Sequence, residues 1–223
     1  MSKQQCCLRG AGTLAALALL LLAGSAGAQE RKTLVNQKYV FQVSYPADWK
    51  VERTMHPDPF PKIEDFKAGR ASLSGGVEVG GDAQEPADWN AAWFNQSQSG
   101  PPPTPGVPFS FSVPSILVYA HPAVATSFDE FTAYLKSLLG TTGMELVSSA
   151  RVKTASGLEG YDYVYHFTGG MMPTRLVVFF KDGKRYGLTY PEMEQKDFDR
   201  FEQPFSEMVR SFQILAASSG PAR

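Results

Sequence analysis

Of the three histidines in the sequence, only His56 has an acidic residue within two positions, in the loop sequence His56-Pro57-Asp58. An imidazole and a carboxylate are both common ligands of divalent cations, so this pair could hold a metal ion together with a third group. No second histidine lies at helical spacing from His56, and there is no H-E-x-x-H motif. We therefore predict no cofactor and keep His56 and Asp58 only as candidate ligands of a divalent cation. The alternative interpretation is ordinary loop polarity.

The other groups that could do chemistry do not form a recognisable catalytic motif. Residues 72–76 read Ser-Leu-Ser-Gly-Gly and lack the G-x-S-x-G turn that exposes a nucleophilic serine. His121 precedes a proline at the end of a strand-like run, and His166 lies within another, so we interpret both as structural. We predict a non-catalytic protein, and a hydrolase with an unrecognised site is the alternative.

Residues 1–28 have the pattern of a cleavable secretory signal peptide. Lys3 and Arg9 supply a positively charged start, residues 11–23 are apolar, and Ala26-Gly27-Ala28 fits a small-residue cleavage site. The apolar run is short for a membrane span, although an uncleaved N-terminal anchor is the alternative. We expect export to the periplasm or the cell exterior, or to a thylakoid lumen in a photosynthetic organism.

The net charge and the positions of the cysteines argue against further classes of function. Without Lys3 and Arg9, the 21 basic residues fall to 19 against 22 acidic ones, which gives the mature chain a net charge of −3. This balance argues against nucleic acid as a partner, because nucleic acid binds to a basic face. Cys6 and Cys7 both precede the predicted cleavage site, so we expect neither disulfides nor thiolate chemistry in the mature chain.

The first element that could position a site is an aromatic strand that follows a polar lead-in at residues 29–37. Apolar residues alternate over residues 39–45, which predicts a strand with one buried face. Pro46 ends the strand because it has no N–H to donate. After a tight turn at Ala47-Asp48, Trp49 returns to the apolar side and anchors a second strand over residues 50–53.

Residues 80–108 are predicted to be an insertion into the domain. Trp89, Trp93 and Phe94 fall at helical spacing, which predicts a short helix over residues 88–94 with these aromatic side chains on one side. Residues 96–108 are rich in Ser, Gly and Pro and are predicted to be an exposed loop. Because aromatic residues dominate interface hot spots, these three residues are the candidate binding surface.

A capped helix is predicted after an apolar strand at residues 115–120. Ser127 is a favourable N-cap, and Glu130 three residues later completes a capping box. Apolar residues then recur at helical spacing until Gly140, which is predicted to end the helix.

Four strand candidates follow this helix and predict an antiparallel meander; they cover residues 145–154, 158–168, 174–180 and 185–190. Asp182-Gly183 is a hairpin turn signal between the last two strands. Lys181, Lys184 and Arg185 flank this turn, where we expect them to keep the hairpin tip soluble; contact with a membrane headgroup or an acidic partner is the alternative.

The chain ends in an amphipathic segment. Apolar residues from 198 to 212 share one face of a helix, and Pro204 within it predicts a kink or a break into two short helices. Residues 215–223 are predicted to form a disordered tail.

Taken together, these segments resemble the PsbP-like family of PsbP/DcrB-type domains. The resemblance rests on the corner Tyr45-Pro46-Ala47-Asp48-Trp49, on the capped helix with Ser127 and Glu130, and on the closing Ser211-Phe212. It covers residues 38–214, with the insertion at 80–108. The resemblance implies an α+β fold, an α/β/α sandwich around a central, mainly antiparallel sheet, with no shared set of catalytic residues.

The resemblance also implies a role by binding. An exported domain of this family would serve as an accessory protein of an envelope or photosynthetic-membrane complex and would have a protein or a membrane-associated complex as its partner. The alternative is a small-molecule or lipid binder in the periplasm, with Trp89, Trp93 and Phe94 lining a pocket between sheet and helix.

Overall fold

The computed structural model describes residues 30–56, 58–60, 65, 68, 88–96, 115–191 and 195–216. The predicted signal peptide, the predicted loop after residue 96 and the end of the tail lie outside these residues. Residues 70–79, whose sequence predicts a strand pair or one bent strand, also lie outside them. Within the described part of the chain, no helix combines the length and apolarity needed to cross a membrane.

The strands are β1 (Arg31–Asn36), β2 (Phe41–Pro46), β3 (Trp49–Thr54), β4 (Ala91–Gln96), β5 (Ser115–Pro122), β6 (Met144–Lys153), β7 (Glu159–Phe167), β8 (Met171–Lys181), β9 (Lys184–Pro191) and β10 (Gln213–Ile214). The helices are α1 (Phe128–Thr141) and α2 (Gln195–Ser211). The main sheet has seven strands in the order β3-β4-β5-β9-β8-β7-β6, and β1-β2-β10 form a smaller sheet. Every neighbouring pair in both sheets is antiparallel.

The two helices cover opposite faces of the main sheet. Along β5, Ile116, Val118 and Ala120 belong to a core shared with α2 and the small sheet. Leu117 and Tyr119 alternate with them and belong to the core under α1. This period-2 alternation along a strand buried on both faces produces the predicted α/β/α sandwich, which is confirmed.

The aromatic corner is the point where the chain passes from the small sheet to the main sheet. β2 ends at Pro46, and β3 begins at Trp49, whose ring packs 5.6 Å from that of Phe201 in α2. Tyr45 lies 5.0 Å from Phe94, again measured between ring centroids. The predicted polar lead-in contains a strand of its own, β1, which pairs along all of β2.

The capped helix α1 is confirmed and extends one residue past Gly140. The backbone N–H of Glu130 donates to Ser127 Oγ over 3.1 Å. The Glu130 carboxylate turns back to Thr126, where it accepts from the backbone N–H and the hydroxyl at 2.6 and 2.9 Å. Ser127 and Glu130 therefore form a reciprocal capping box, in which the Glu130 carboxylate binds Thr126, one residue before the N-cap, and not the N-cap itself.

The C-terminal helix continues through Pro204 as one helix, so of the two predicted alternatives, a kink or a break into two short helices, the break is wrong. Its apolar face is buried, and the amphipathic pattern is what commits the segment to one helix. Ser211 Oγ accepts from the backbone N–H of Ser44 at 2.9 Å and donates to Met208 O at 2.8 Å. Phe212 is buried and stacks on Phe179 at 5.1 Å, which closes the helix onto the sheet.

The predicted helix over residues 88–94 is wrong, because residues 91–96 form β4 inside the main sheet, between β3 and β5. The spacing of Trp89 and Trp93 suggested a helical face, but strand pairing on both sides decides the local structure. This part of the predicted insertion is therefore integral to the fold.

Candidate functional site

Arg185 is the most deeply buried charged residue in the described part of the chain, with 0% of its surface exposed. Arg185 lies in β9, the central strand of the main sheet, and its register partner in β5 is His121. The prediction that Arg185 keeps the hairpin tip soluble is wrong. Its strand lies between β5 and β8, and its side chain lies on the α1 face, where Phe131 of α1 and Phe60 cover it.

Asp58 and three aromatic rings surround the guanidinium of Arg185. Asp58 Oδ1 accepts from Nη2, and its side chain keeps 28% of its surface exposed. The guanidinium carbon lies 4.7 Å from the ring centre of Phe60, 5.9 Å from that of Tyr119 and 6.0 Å from that of Phe131. The rings exclude water from the cation, and their negative faces compensate part of the lost hydration.

Two of the three guanidinium nitrogens of Arg185 make no hydrogen bond of ordinary geometry with a described residue, although the Tyr119 hydroxyl lies close enough to interact with the guanidinium. Neither Nε nor Nη1 has a hydrogen-bond partner among the residues that the structure describes. Buried polar groups are normally hydrogen-bonded, and leaving a donor of a charged group unsatisfied costs several times the net value of an ordinary hydrogen bond. The side chain is therefore not at its optimum for folding stability alone.

His121 lies opposite Arg185 and is held as a neutral ring. The amide nitrogen of Asn90 lies 3.5 Å from His121 Nδ1 and donates to it, so the proton of the neutral imidazole is on Nε2. Burial lowers the pKa of His121 to about 4; Asp58 opposes this effect, and Arg185 and His56 add to it. Nε2 is buried and also lacks a partner within the described residues.

Asn90 holds His56 next to His121. Asn90 Oδ1 accepts from the backbone N–H of His56 at 2.7 Å, and Asn90 Nδ2 donates to the backbone oxygen of His56 at 3.0 Å. The rings of His56 and His121 lie 6.3 Å apart. These bonds hold the chain after β3 against the end of β5 and place Asp58 within reach of Arg185.

Tyr119 completes the cluster because Gly187 leaves room for its ring. These two residues pair across β5 and β9, and a Cβ added to Gly187 would lie 2.2 Å from Cζ of Tyr119. Burial raises the pKa of Tyr119 to about 12, and the neighbouring Arg185 opposes this rise. The phenol therefore stays protonated and presents its oxygen to the guanidinium side of the sheet.

We call the residues Arg185, Asp58, His121, Tyr119, Asn90 and His56 the Arg185 cluster. The cluster combines one permanent cation with neutral N–H donors in a buried place, and the described residues supply a single carboxylate to accept from them. Excess donors around a buried cation suit a ligand that brings hydrogen-bond acceptors and negative charge.

A second guanidinium, on the α2 face of the sheet, is fully paired. Arg175 Nε donates to both carboxylate oxygens of Asp162 at 3.1 Å, and Nη2 donates to Asp162 Oδ2 at 2.6 Å. Nη1 donates to Ser206 Oγ at 3.1 Å, and Phe205 lies 5.1 Å from the guanidinium carbon. We call Arg175, Asp162 and Ser206 the Arg175 clamp, which ties β7 and β8 to α2.

Of the site residues predicted from the sequence, only Asp58 and His56 lie in the Arg185 cluster. Asp58 belongs to the site as the partner of Arg185, and His56 lies beside it. Among the described residues, no group of three or more His, Cys, Asp or Glu side chains could hold a metal ion.

Trp89, Trp93 and Phe94 do not form one contact surface, so that part of the prediction is wrong. Phe94 is fully buried, and Trp89 packs against the core on the α2 face. Trp93 packs against the core on the α1 face, where its ring lies 6.0 Å from that of His56. The two tryptophans are thus on opposite sides of the sheet.

Sequence reasoning missed Arg185, His121, Tyr119 and Asn90 as a group. A signal was present in the alternation along β9, where Tyr186 and Leu188 face the α2 core. That parity places Arg185 and Gly187 together on the α1 face, and a glycine at this point of a strand indicates close approach of another group. The partner strand could not be identified from the sequence.

Neither a protein-family profile nor a curated protein matches the sequence. Among solved structures, the cyanobacterial PsbP (CyanoP) of Synechocystis is similar at 11% identity and a TM-score of 0.46, over 86% of this chain and 96% of that protein. The yeast Ran-binding protein Mog1p is similar at 10% identity and a TM-score of 0.46, over 86% and 98%. A Pseudomonas aeruginosa protein of unknown function is similar at 15% identity and a TM-score of 0.43, over 58% and 85%. At these levels the similarity assigns neither a family nor a function to this chain.

Proposed function

We propose that this chain is a non-catalytic binding protein that holds a small ligand, rich in hydrogen-bond acceptors, at the Arg185 cluster. The observation that carries the proposal is the buried guanidinium of Arg185, with Nε and Nη1 unpaired within the described residues. An arrangement that leaves such donors without acceptors is costly in the free protein, and an incoming acceptor removes that cost. A small-molecule binder was the alternative prediction from the sequence, and this geometry favours it.

Binding without catalysis is supported by the state of His121. A ring with a pKa of about 4 is a weak base at neutral pH and is poorly matched to proton transfer there. Its Nδ1 faces Asn90 and not the hydroxyl of a serine or threonine. The cluster is therefore suited to donating hydrogen bonds and not to activating a nucleophile.

Location and partner remain part of the proposal. The pattern of residues 1–28 supports export, and an exported binder would meet its ligand in the periplasm, outside the cell or in a thylakoid lumen. A protein partner in an envelope or photosynthetic-membrane complex stays a prediction. Because Trp89 and Trp93 lie on opposite faces of the sheet, at most one of them could belong to any single contact surface.

Thermal unfolding of the purified full chain tests the proposal. Small anionic, neutral and cationic compounds are added to the protein, to Arg185→Met and to Ser206→Ala. We expect at least one class to raise the melting temperature of the protein and of Ser206→Ala but not of Arg185→Met, because a ligand stabilises only the state that binds it. Equal shifts in all three proteins, or shifts in none, would contradict a site at the Arg185 cluster.

A further inference from the structure

One side-chain amide, that of Asn90, holds both His56 and His121. Asn90 Oδ1 accepts from the backbone N–H of His56 at 2.7 Å, and Nδ2 donates one hydrogen to the backbone oxygen of His56 at 3.0 Å. Nδ2 donates its other hydrogen to Nδ1 of His121 over 3.5 Å. Since the backbone of His56 offers one donor and one acceptor, it fixes which end of the amide faces His121.

The backbone of Asn90 is fixed as well. Its N–H donates to the backbone oxygen of Thr54 at 3.2 Å, and its oxygen accepts from the N–H of Ala120 at 2.9 Å. The residue is 5% exposed, so little water reaches the amide. The side chain can therefore turn in place, but it cannot move away from the two groups that it holds.

A proton on Nδ1 of His121 is incompatible with this orientation of the Asn90 amide. Two N–H groups would face each other, and neither is an acceptor. A half-turn of the amide would present Oδ1 to His121, but Oδ1 would then also face the backbone oxygen of His56, and Nδ2 would face its N–H. Protonation of His121 and the two bonds between Asn90 and His56 therefore exclude each other.

The segment that Asn90 holds in place closes one side of the Arg185 cluster. We call His56, Asp58 and Phe60 the cover residues; they lie outside the helices and strands. Asp58 accepts from Nη2 of Arg185, and the ring of Phe60 lies 4.7 Å from the guanidinium carbon. Arg185 is fully buried, so a ligand reaches it only when a surrounding group moves away, and residues outside regular structure open at the lowest cost.

We propose that protonation of His121 releases the cover residues from the sheet and so opens the Arg185 cluster at acidic pH, with Asn90 as the positioning residue that couples the two events. The release itself needs no ligand, and its role in admitting one rests on the proposed function. At neutral pH the cover residues are closed over the guanidinium, and acid exposes it to water and to ligands.

The groups around His121 give the effect its direction. Titratable side chains face it from the elements packed there, namely Arg185 of β9, Tyr119 of β5, His56 and Asp58 of the cover residues and, beyond Phe60, Tyr134 of α1. Burial, Arg185 and His56 hold the pKa of His121 below its ordinary value, and Asp58 acts in the other direction. Once the cover residues leave, water reaches the ring, so the released state binds the proton more tightly and gains population as the pH falls.

Hydrogen exchange at the backbone N–H of His56, measured by NMR, tests the release, because Asn90 holds this N–H in the closed state. Protection factors, corrected for intrinsic exchange, are compared at pH 7 and pH 5 in the full chain, His121→Asn and the control His166→Asn. With a closed-state pKa of about 4, the protection of His56 should fall about 20-fold in the full chain and in His166→Asn, and should stay constant in His121→Asn. Equal falls in the full chain and His121→Asn would overturn the release.

The Nε–H groups of the two buried arginines show whether the Arg185 cluster opens. Arg185 Nε–H should also lose about 20-fold of its protection at pH 5, because the cover residues no longer exclude water. Arg175 Nε–H, which donates to Asp162 on the opposite face, should keep its protection. An equal loss at both arginines would mean that acid unfolds the whole domain, and no loss at Arg185 would mean that the cluster stays closed; either result overturns the proposal.

Asn90→Asp tests the coupling in a variant that keeps His121. A carboxylate accepts both from the N–H of His56 and from a protonated Nδ1 of His121, so protonation no longer excludes the hold on His56. We expect a higher pKa of His121 in an NMR titration and a fall in His56 protection of less than about threefold between pH 7 and pH 5. A fall as large as in the unchanged chain would show that Asn90 does not couple the two events.

The release and the proposed function fail separately. If His56 protection depends on His121 but no compound raises the melting temperature, the release stands and the proposed function is overturned. If a compound binds at the Arg185 cluster while His56 protection is independent of His121, the proposed function stands and the release is overturned.

Discussion

The Arg175 clamp and the Arg185 cluster place the same side chain on opposite faces of one sheet, in opposite states of pairing. In the clamp, all three nitrogens of Arg175 donate, two of them to Asp162 and one to Ser206. In the cluster, Arg185 is more deeply buried, yet a single one of its nitrogens donates to an acceptor among the described residues, namely Nη2 to Asp58.

This difference in hydrogen-bond pairing is a criterion that distinguishes a structural ion pair from a binding site. Hydrogen bonds to Asp162 raise the pKa of Arg175 above its ordinary value, although burial acts in the other direction. A buried cation stabilises a fold only when its counterion and its remaining donors are satisfied, and the clamp meets this condition. Among the described residues the cluster does not meet it, and unsatisfied buried donors in a native structure call for an explanation.

The largest difference is expected when each arginine is replaced by methionine. Arg175→Met leaves the nearly buried Asp162 without its cation and should lower the free energy of unfolding by about 3–5 kcal/mol. Arg185→Met removes the unsatisfied donors, and Asp58 keeps its exposed fraction of 28% and its hydrogen bond from the backbone N–H of Phe60, so the cost should stay within about 1–2 kcal/mol. Urea denaturation measures both values, and a larger loss in Arg185→Met would show that the cluster is structural.

Gly187→Ala should be the next most damaging change, because the new Cβ would lie 2.2 Å from the buried ring of Tyr119. We expect a loss at the upper end of about 1–3 kcal/mol in stability. Gly160→Ala is the matched control, since its Cβ would meet the ring of Phe179 at 2.5 Å, on the other face. The rise in melting temperature that a ligand of the Arg185 cluster produces should be smaller in Gly187→Ala alone, and a similar reduction in both variants would mean that Tyr119 does not position the site.

The pH dependence of stability should report on His121. Its folded pKa of about 4 lies below its ordinary value, so on acidification the unfolded chain takes up a proton first. The stability that neutral His121 contributes is complete above about pH 7 and falls as the pH drops from about 6.5 towards 4. The groups facing it are Asp58, Arg185 and His56.

His121→Asn keeps an acceptor for Asn90 but cannot be protonated in this range. Between pH 7 and pH 4.5 it should lose roughly 2 kcal/mol less stability than the unchanged protein. Urea denaturation at a series of pH values measures this difference. Parallel curves for the two proteins would mean that the His121 ring is not held neutral by the fold.

The smallest effect is expected from Ser206→Ala, which removes the hydrogen bond from Arg175 Nη1 over 3.1 Å. It should cost about 1 kcal/mol, because Asp162 still holds the other two nitrogens. Ligand binding at the Arg185 cluster should not change, since Ser206 lies in α2 on the opposite face. A changed ligand-induced rise in melting temperature in Ser206→Ala would mean that the two arginine sites are coupled.

Local patterns in the sequence predicted much of the fold. The capping box at Ser127, the aromatic corner at Trp49 and the meander from β6 to β9 were recognisable because short-range chemistry specifies caps, turns and alternation. The same reasoning failed at β4, where the tryptophan spacing indicated a helix, and at β1, whose polar residues hid a strand. In both places pairing with distant strands outweighed local preference.

Apart from β1, β4 and β10, the sequence by itself determined the described helices and strands, their amphipathic faces and the absence of a recognisable catalytic motif, because these depend on neighbours within a few positions. Tertiary structure alone decided that Arg185 lies inside the sheet and not at a hairpin tip. It also brought Asp58 to Arg185 across 127 positions of sequence and Asn90 to His121 across 31. The charge state of His121 and the unpaired donors of Arg185 follow from that enclosure, since desolvation depends on what packs around a side chain.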